Sequence, residues 1–145
     1  MFDKIKVKDM MNSRVHVVSP DINVWQASNK LKTLHIGCLV VVEKGVICGI
    51  ISERDIVYKI VSAKRVASEV KVREIMSGPV VTLKPETPAT DALFIASTRH
   101  LRHLPVVDDK DNLVGILGIR DMIYQAVNNI LATSDYFDMK KAENG

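Results

Sequence analysis

The strongest constraint on the fold is a short segment that occurs twice. Residues 49–58 read GIISERDIVY, and residues 115–124 read GILGIRDMIY. In each copy a glycine and aliphatic residues precede a polar turn, and an Arg-Asp pair then opens a segment of apolar residues at helical spacing. This pattern is typical of a β-strand that leads into the N-terminus of a helix. The chain therefore predicts two copies of one strand-to-helix turn.

The repetition extends upstream of these two signatures. Matching residues lie 65 positions apart before the signatures. From the signature glycines onward the separation is 66, because the second copy has one extra residue. The extra residue falls in the turn at 108–112, where an insertion leaves the flanking strands intact. The repeat therefore spans most of the chain. The matched pairs include Met11 and Met76, Pro20 and Pro85, Ala27 and Ala92, His35 and His100, Leu39 and Leu104, and Gly49 and Gly115.

Each copy predicts the element order β-α-β-β-α after an opening helical turn. In the first copy Asp21 is the expected N-cap of a helix whose apolar face runs from Val24 to Leu34, and Ser52 is the expected N-cap of the last helix. In the second copy Pro88 is expected at the first helical position. The predicted elements are turns at 7–11 and 72–76, strands at 15–18, 38–42, 46–51, 80–83, 104–107 and 113–117, and helices that end near residues 34, 63, 99 and 131.

We therefore predict a mixed α/β (α+β) fold of two pseudo-symmetric β-α-β-β-α repeats packed through their small sheets. The first repeat and its lead-in are expected at 1–63, and the second repeat at 71–131. A charged linker at 64–70 joins them, and a flexible tail is expected at 132–145. Each half of roughly 60 residues would be marginally stable alone, so the two halves are expected to share a core.

The composition is that of a globular protein whose core is mainly aliphatic. Of the 145 residues, 47% are hydrophobic, 26% are charged and 5% are aromatic. No apolar run reaches the ~18–20 residues of a membrane span, and the charged start MFDKIKVKDM is not a signal peptide. We expect a cytoplasmic protein, in which Cys38 and Cys48 are a buried reduced pair rather than a disulfide. The net charge of +3 permits an anionic ligand without requiring nucleic acid.

The chain resembles a tandem pair of CBS (cystathionine β-synthase) domains, the regulatory module often called a Bateman module. The resemblance is carried by the opening segments VKDMM and VREIM, the strand LPVVDD, and the signatures GIISERD and GILGIRD. It covers roughly residues 6–130. No one of these motifs is specific alone, but the ordered set appears twice.

A strand-to-helix turn has the chemistry of an anion site. The first N–H groups of the helix have no partner within the helix, and the helix dipole favours an anion there. Ser52 adds a hydroxyl, and the Asp55 carboxylate can accept hydrogen bonds from the two hydroxyls of a ribose. Arg54 and Arg120 place a cation in the first turn against the dipole, and a bound phosphate would explain that placement.

A helix cap is the alternative interpretation of the same residues. Ser52 and Asp55 have the spacing of a capping box, in which each serves only the backbone of the other. Arg54 would then pair with Glu53 or with another carboxylate. In the second copy Gly118 replaces the serine, so a reciprocal box of side chains is impossible, although the aspartate is retained.

The resemblance implies an adenosine nucleotide of the AMP, ADP or ATP class as ligand, with no obligatory cofactor. In the family such nucleotides bind in the cleft between two repeats, the acidic residue of the signature holds the ribose, and the other repeat supplies apolar walls. Carried over by position, one pocket comprises Ser52, Arg54, Asp55, Met76, Val81 and Leu101. The other comprises Arg120, Asp121, Met11, His16 and Ile36.

The positions before the middle strand of each repeat make the two pockets unequal. In relatives these positions often reach phosphate, and here they are Gly37-Cys38 in the first copy and Arg102-His103 in the second. Because charge-assisted hydrogen bonds are about twice as strong as neutral ones, a phosphorylated ligand is expected to prefer the Asp121 pocket. The alternatives are a solvated surface arginine at Arg102 and a packed strand-edge residue at His103.

Together these observations favour a non-enzymatic regulatory module, an energy sensor that acts on an unidentified protein target. His100 and His103 lack further ligands at zinc spacing, and the chain has no Walker-type loop and no nucleophile motif. The first alternative function is that of a nucleic-acid-binding or scaffold protein, which the basic pI of ≈ 8.9 would suit. The second is a phosphoesterase that uses His16 and His103.

Apolar residues on the last helix of each repeat predict self-association. They recur at helical spacing after both signatures, and some are expected to stay exposed on a monomer. In relatives these helices pack two modules together, so a homodimer is expected. Trp25 lies beside the apolar face of the first long helix, and we expect it to pack against other side chains, including those of a second subunit, rather than to bind a ligand. The apolar residues are Val57, Ile60, Val61, Met122, Ile123, Ala126, Val127 and Ile130.

Overall fold

The chain folds into two compact units, and each unit is built from other segments of the chain than the predicted repeats. The computed structural model describes residues 4–133, so most of the predicted tail lies outside the described residues. Residues 14–81 form one continuous unit, called the inserted unit below. Residues 4–13 and 82–133 form the other, called the discontinuous unit. The repeat boundaries stay a prediction, but the opening segment of each copy packs in the unit that contains the rest of the other copy.

The predicted mixed α/β class is confirmed. In the inserted unit β2 pairs in parallel with β1 and antiparallel with β3, and in the discontinuous unit β4 pairs antiparallel with β5. A π-helical turn at Val57–Val61 continues α3, and a 3₁₀ turn lies at Ala67–Glu69. In chain order the elements are α1 (Val7–Met10), β1 (Val17–Val18), α2 (Val24–Leu34), β2 (Cys38–Glu43), β3 (Val46–Ser52), α3 (Glu53–Ile56), α4 (Val72–Ile75), α5 (Ala89–Thr98), β4 (His103–Val107), β5 (Leu113–Gly118) and α6 (Ile119–Thr133).

The inserted unit has an aliphatic core between α2 and its sheet. The predicted apolar face of α2 is buried as far as Leu31, whereas Leu34 is 38% exposed. Asn23 caps α2 by accepting a hydrogen bond from Gln26, so the predicted cap at Asp21 is wrong. Asn23 is one residue before the first helical residue, where its carboxamide oxygen reaches an unpaired N–H of the first turn. The buried core residues are Val18, Val24, Ala27, Leu31, Leu39, Val41, Ile51, Ile60, Val70, Val72 and Ile75.

The hairpin turn between β2 and β3 is a tight one. Lys44 and Gly45 both have positive φ, 50° and 77°, which is the conformation of a two-residue type I′ turn. In the discontinuous unit the longer turn is closed by Asp108, whose carboxylate accepts from the backbone of Lys110 and Asn112. These bonds, opposed by a smaller burial effect, hold the pKa of Asp108 below its usual value. The extra residue of the second copy is therefore absorbed in this turn, as predicted.

The second copy departs from the prediction before its first long helix. The strand predicted at 80–83 is reduced to one bridge, in which Leu83 pairs with Val106 in parallel. Pro79 and Pro85 lie on either side of this bridge and supply no N–H groups to lengthen it. Pro88 is the N-cap of α5 rather than its first residue, because its ψ of 143° is extended.

Backbone hydrogen bonds join the opening segments to their units in matching ways. In the discontinuous unit Val7 donates to the carbonyl of Thr87, and Ala89 donates to that of Ile5, at 2.9 and 2.8 Å. In the inserted unit the equivalent bonds run from Val72 to Ile22 and from Val24 to Val70, also at 2.9 and 2.8 Å.

Equivalent ion pairs hold the same two segments. Lys8 bonds Glu86 at 2.5 Å in the discontinuous unit, and Arg73 bonds Asp21 at 3.1 Å in the inserted unit. Lys6 also bonds Glu86, and its bond and that of Lys8 lower the pKa of the Glu86 carboxyl to about 2. Each unit thus contains the opening segment of the other copy, and α1 and α4 are equivalent by contact as well as by sequence.

Candidate functional site

The signature turn of the inserted unit is a capping box. Ser52, the last residue of β3, is extended and caps α3. The Asp55 N–H donates to Ser52 Oγ at 3.2 Å, and the Ser52 N–H and hydroxyl both donate to Asp55 Oδ2 at 3.0 Å. The helix-cap interpretation of these two residues is therefore confirmed.

The second carboxylate oxygen of Asp55 is also taken. Ser77 Oγ donates to Oδ1 at 2.8 Å, and Lys59 Nζ donates to it at 3.0 Å. A carboxylate has about four acceptor positions, so these two donors and the two from Ser52 fill it. Asp55 is 8% exposed and is the one charged residue buried among those that the structure describes.

The protonation of Asp55 follows from these contacts. Burial raises the pKa of this carboxyl, but the hydrogen bonds from Ser77, Lys59 and Ser52 lower it by more in total. The net pKa lies below that of an ordinary aspartic acid. Asp55 is therefore ionised at neutral pH, and its charge is used within the fold.

Arg54 has a local partner that does not involve phosphate. Its guanidinium lies over the ring of Tyr58, 5.0 Å from the centroid, one turn further along the helix. A cation–π contact of this kind is attractive at an exposed site. The placement of a cation in the first turn of α3 is thereby explained without a bound anion.

The signature turn of the discontinuous unit is open by comparison. Gly118 ends β5, and its N–H donates to Asp121 Oδ2 at 3.1 Å. Within residues 4–133 this is the one hydrogen bond recorded for that carboxylate, and Asp121 is exposed. Gly118 has no hydroxyl to accept from the Asp121 N–H, so this donor at the start of α6 has no serine partner.

The structure brings two of the predicted basic residues to the same turn. His103, the first residue of β4, pairs with Gly118 across the sheet, and a Cβ built on Gly118 would lie 3.9 Å from its ring. The carbonyl of Arg102 accepts from the N–H of Ile119 at 2.9 Å, which places Arg102 beside the first residue of α6. Arg120 follows in the first turn. Arg102 and Arg120 are exposed, and neither has an ion pair among the described residues.

The predicted methionines lie against the signature glycines. A Cβ built on Gly49 would lie 2.6 Å from Met76 Sδ, and a side chain on Gly115 would collide with Met11 in the same way. Both glycines therefore allow a close approach of the methionine, which would have to shift if either position carried a side chain. Each methionine thus belongs to the unit that contains the opposite copy's signature, and its role at a ligand stays a prediction.

For the other predicted lining residues the structure gives burial and backbone bonds within their own units. Val81 is half-buried and lies outside any strand. The Leu101 N–H donates to the Ala96 carbonyl in the discontinuous unit, and the backbones of His16 and Ile36 bond within the inserted unit. The predicted roles of Val81, Leu101, His16 and Ile36 at a ligand stay predictions.

The cysteines are free thiols, as predicted, but only Cys38 is buried, whereas Cys48 is half-buried. Cys38 pairs with Ser52 across the β2–β3 ladder, whereas Cys48 sits at its bulge. Burial raises the pKa of the Cys38 thiol to about 12. Within residues 4–133 no three metal-ligating side chains come together, and no helix is long and apolar enough to cross a membrane.

Comparison with protein-family models identifies the family of the chain. The model for the CBS domain matches residues 7–62 and again residues 72–128. The chain belongs to the CBS domain family. The resemblance drawn from the two signatures is confirmed, and the chain is a CBS pair, a regulatory module.

Relatives and solved structures agree with this assignment. The CBS domain-containing protein YhcV of Bacillus subtilis is 34% identical over 128 residues, which cover 88% of this chain and 90% of YhcV. The crystal structure of a CBS domain, NE2398, has a TM-score of 0.78 at 30% identity and covers 85% of this chain and 98% of its own. The CBS domain pair of protein MJ0100, in complex with 5′-methylthioadenosine and S-adenosyl-L-methionine, has a TM-score of 0.78 at 25% identity, with coverage of 86% and 98%.

Two residues that contact Asp55 of the first CBS signature were missed from the sequence. Lys59 lies one turn after Asp55, and this i, i+4 spacing of acid and base was a usable signal. Ser77 lies far from Asp55 in sequence and reaches it through backbone bonds with Ile50 on β3, at 2.8 and 3.0 Å. The one sequence signal for Ser77 was that it directly follows Met76, which was predicted to line the ligand pocket.

Proposed function

We propose that this CBS pair binds an adenosine nucleotide and that Asp121 provides the principal contact to its ribose. The observation that carries the proposal is the exposed Asp121 carboxylate in the first turn of α6, with one recorded hydrogen bond. Two adjacent ribose hydroxyls need two acceptor positions, and a carboxylate that has accepted one bond still offers about three.

The phosphate of the same ligand would be bound by the start of α6 and its basic neighbours. The helix is fifteen residues long, and the positive end of its dipole lies at Ile119. Arg102 and Arg120 are exposed there, and His103 faces Gly118 across the sheet. Guanidinium groups bind phosphate in a bidentate manner, so this turn favours a nucleotide over the unphosphorylated nucleoside.

The ligand class is supported by a relative as well as by the residues. The MJ0100 CBS pair was crystallised with two adenosine compounds. The basic residues beside Asp121 narrow the proposal here to AMP, ADP or ATP. We propose that the module is not an enzyme and that it passes nucleotide binding to a protein target, as an energy sensor does.

Isothermal titration tests this function directly. The full chain, confirmed free of co-purified nucleotide, is titrated with AMP, ADP, ATP, NAD and S-adenosylmethionine. We expect heat with the phosphorylated adenosines, and weaker heat with adenosine as the unphosphorylated control. No heat with any of these compounds would exclude the proposed function. A salt-dependent mobility shift with generic oligonucleotides in that case would favour the nucleic-acid alternative instead.

We also propose that the protein is a homodimer through its exposed helices. On α6 the apolar side chains Ile123, Tyr124, Val127 and Ile130 are all exposed, with Tyr124 69% and Ile130 66% accessible. Such a patch is typical of an interface rather than of a monomer surface. Light scattering at micromolar concentration should give twice the chain mass. Ile130→Asp should give a monomer, whereas Asn128→Asp on the same helix should leave the mass unchanged, and a monomeric wild type would contradict the proposal.

A further inference from the structure

We propose that the Lys59 ammonium is a built-in occupant of the first CBS signature, which closes the Asp55 site to ribose and restricts nucleotide binding to the Asp121 site. This inference rests on the proposed function, because it specifies which of the two signatures the nucleotide uses. It assigns to Lys59 a role in specificity that the sequence motif does not contain.

The first argument is the geometry around the ammonium group. Lys59 Nζ donates to Asp55 Oδ1 at 3.0 Å, to the Ile75 carbonyl at 2.8 Å and to Ser77 Oγ at 3.4 Å. An ammonium has three N–H donors, and here each of them has an acceptor. The inserted unit therefore contains a complete three-acceptor site for a cation, and its own lysine occupies it.

The second argument is the saturation of Asp55. A ribose would have to place two hydroxyl donors on this carboxylate, but both oxygens already accept from Ser52, Lys59 and Ser77. The ribose could bind only after displacing some of these donors. Displacement of Lys59 would also separate an ion pair whose acidic side chain is 10% exposed, which is costly for a buried charge.

The third argument is that the second copy lacks this lysine. Gln125 occupies the position of Lys59, one turn after Asp121, and a neutral amide cannot form the ion pair. Gly118 occupies the position of Ser52 and carries no hydroxyl. The Ser52 hydroxyl and the Lys59 ammonium, two of the donors that fill Asp55, are therefore absent from the second signature.

The test is a titration that counts sites in matched variants. AMP is titrated into the wild type, Lys59→Met and Gln125→Met, the last being the same substitution at the equivalent position of the second copy. Methionine keeps the length and apolar stem of the lysine but donates no hydrogen bond. We expect one site per chain for the wild type and Gln125→Met, and two for Lys59→Met. Circular dichroism checks the fold, and Ser77→Ala, which frees the same oxygen, serves as a second variant.

A background without Asp121 isolates the first signature. In Asp121→Ala we expect residual AMP binding to strengthen at least about tenfold when Lys59→Met is added, because one acceptor position of Asp55 becomes available to a ribose hydroxyl and no buried ion pair has to be separated. Adding Asp55→Ala as a third change should remove that gain.

Each other result decides between the two proposals. Two sites in the wild type, or one site in both Lys59→Met and Ser77→Ala, would overturn the role of Lys59 and leave the proposed function standing. Loss of binding in Lys59→Met would show that the lysine contacts the ligand, and would overturn it as well. No binding in any variant would overturn the proposed function and this inference together.

Discussion

The signature turns at Asp55 and Asp121 share one motif but differ in what surrounds their aspartates. Asp55 is buried and accepts four hydrogen bonds from its own unit, whereas Asp121 is exposed and accepts one from Gly118. The residues that cause the difference lie outside the Arg-Asp pair. A CBS signature therefore identifies the turn, while its neighbours determine whether the carboxylate stabilises the fold or remains available to a ligand.

The largest expected effect is on stability. Asp55→Ala removes the acceptor of the Ser77 hydroxyl and one of the three acceptors of the Lys59 ammonium. It should lower the free energy of unfolding by about 2–3 kcal/mol, a figure reduced because the lysine is partly exposed. Asp121→Ala should change it by less than about 0.5 kcal/mol, as expected for a surface substitution. Urea unfolding of the two variants measures both values. Equal losses would contradict the contrast between the turns.

The next effect is on binding, and here the order is reversed. Asp121→Ala removes the hydrogen bonds to ribose and should cost roughly 1.5–3 kcal/mol, or about 10- to 150-fold in nucleotide affinity. Asp55→Ala should leave the affinity of folded protein nearly unchanged. Isothermal titration below the unfolding temperature measures both. If Asp55→Ala abolishes binding and Asp121→Ala does not, the ligand uses the other turn.

Exchanging the caps should partly exchange the behaviour of the turns. Gly118→Ser supplies an acceptor for the Asp121 N–H and should stabilise the start of α6 by about 0.5–1 kcal/mol. The new Cβ would lie 3.0 Å from Asp121 Oδ2, at the end of a side chain that can rotate away. The serine competes with the ligand for this turn, so affinity should fall by a few-fold. Ser52→Gly, the reciprocal change, should destabilise by a similar amount, and thermal melts with and without AMP compare the two variants.

The smallest effect is the pH dependence of the Asp55 contribution, because burial and hydrogen bonding oppose each other in its pKa. The folded pKa is lowered, so below the unfolded value of about 3.9 the unfolded chain binds a proton that the folded chain does not. The contribution is complete above that pH and is lost as pH falls through the folded pKa. The stability gap between wild type and Asp55→Ala should stay constant from pH 7 to 5 and narrow below pH 4. A gap that widens on acidification would contradict this sign.

The sequence predicted what depends on local pattern. The strands that end at Ser52 and Gly118, the helices that follow them and the capping-box spacing all follow from residues within one or two turns. The contact between Ser77 and Asp55 depends on a backbone pairing with Ile50, which no local pattern encodes. The exchange of opening segments was equally hidden, because the segments at Val7 and Val72 are nearly equivalent in sequence and each would fit either copy.

This exchange has a consequence for synthesis on the ribosome. The inserted unit is continuous, so it can close as soon as its last residues emerge, while the discontinuous unit must wait for residues from 82 onward. During that interval Val7 and Met10, both buried in the finished protein, are without their packing partners. Lys4, Lys6 and Lys8 flank them with charge, which opposes aggregation of a short exposed apolar segment. We expect the segment at Val7–Met10 to be packed later than the inserted unit that follows it in the chain.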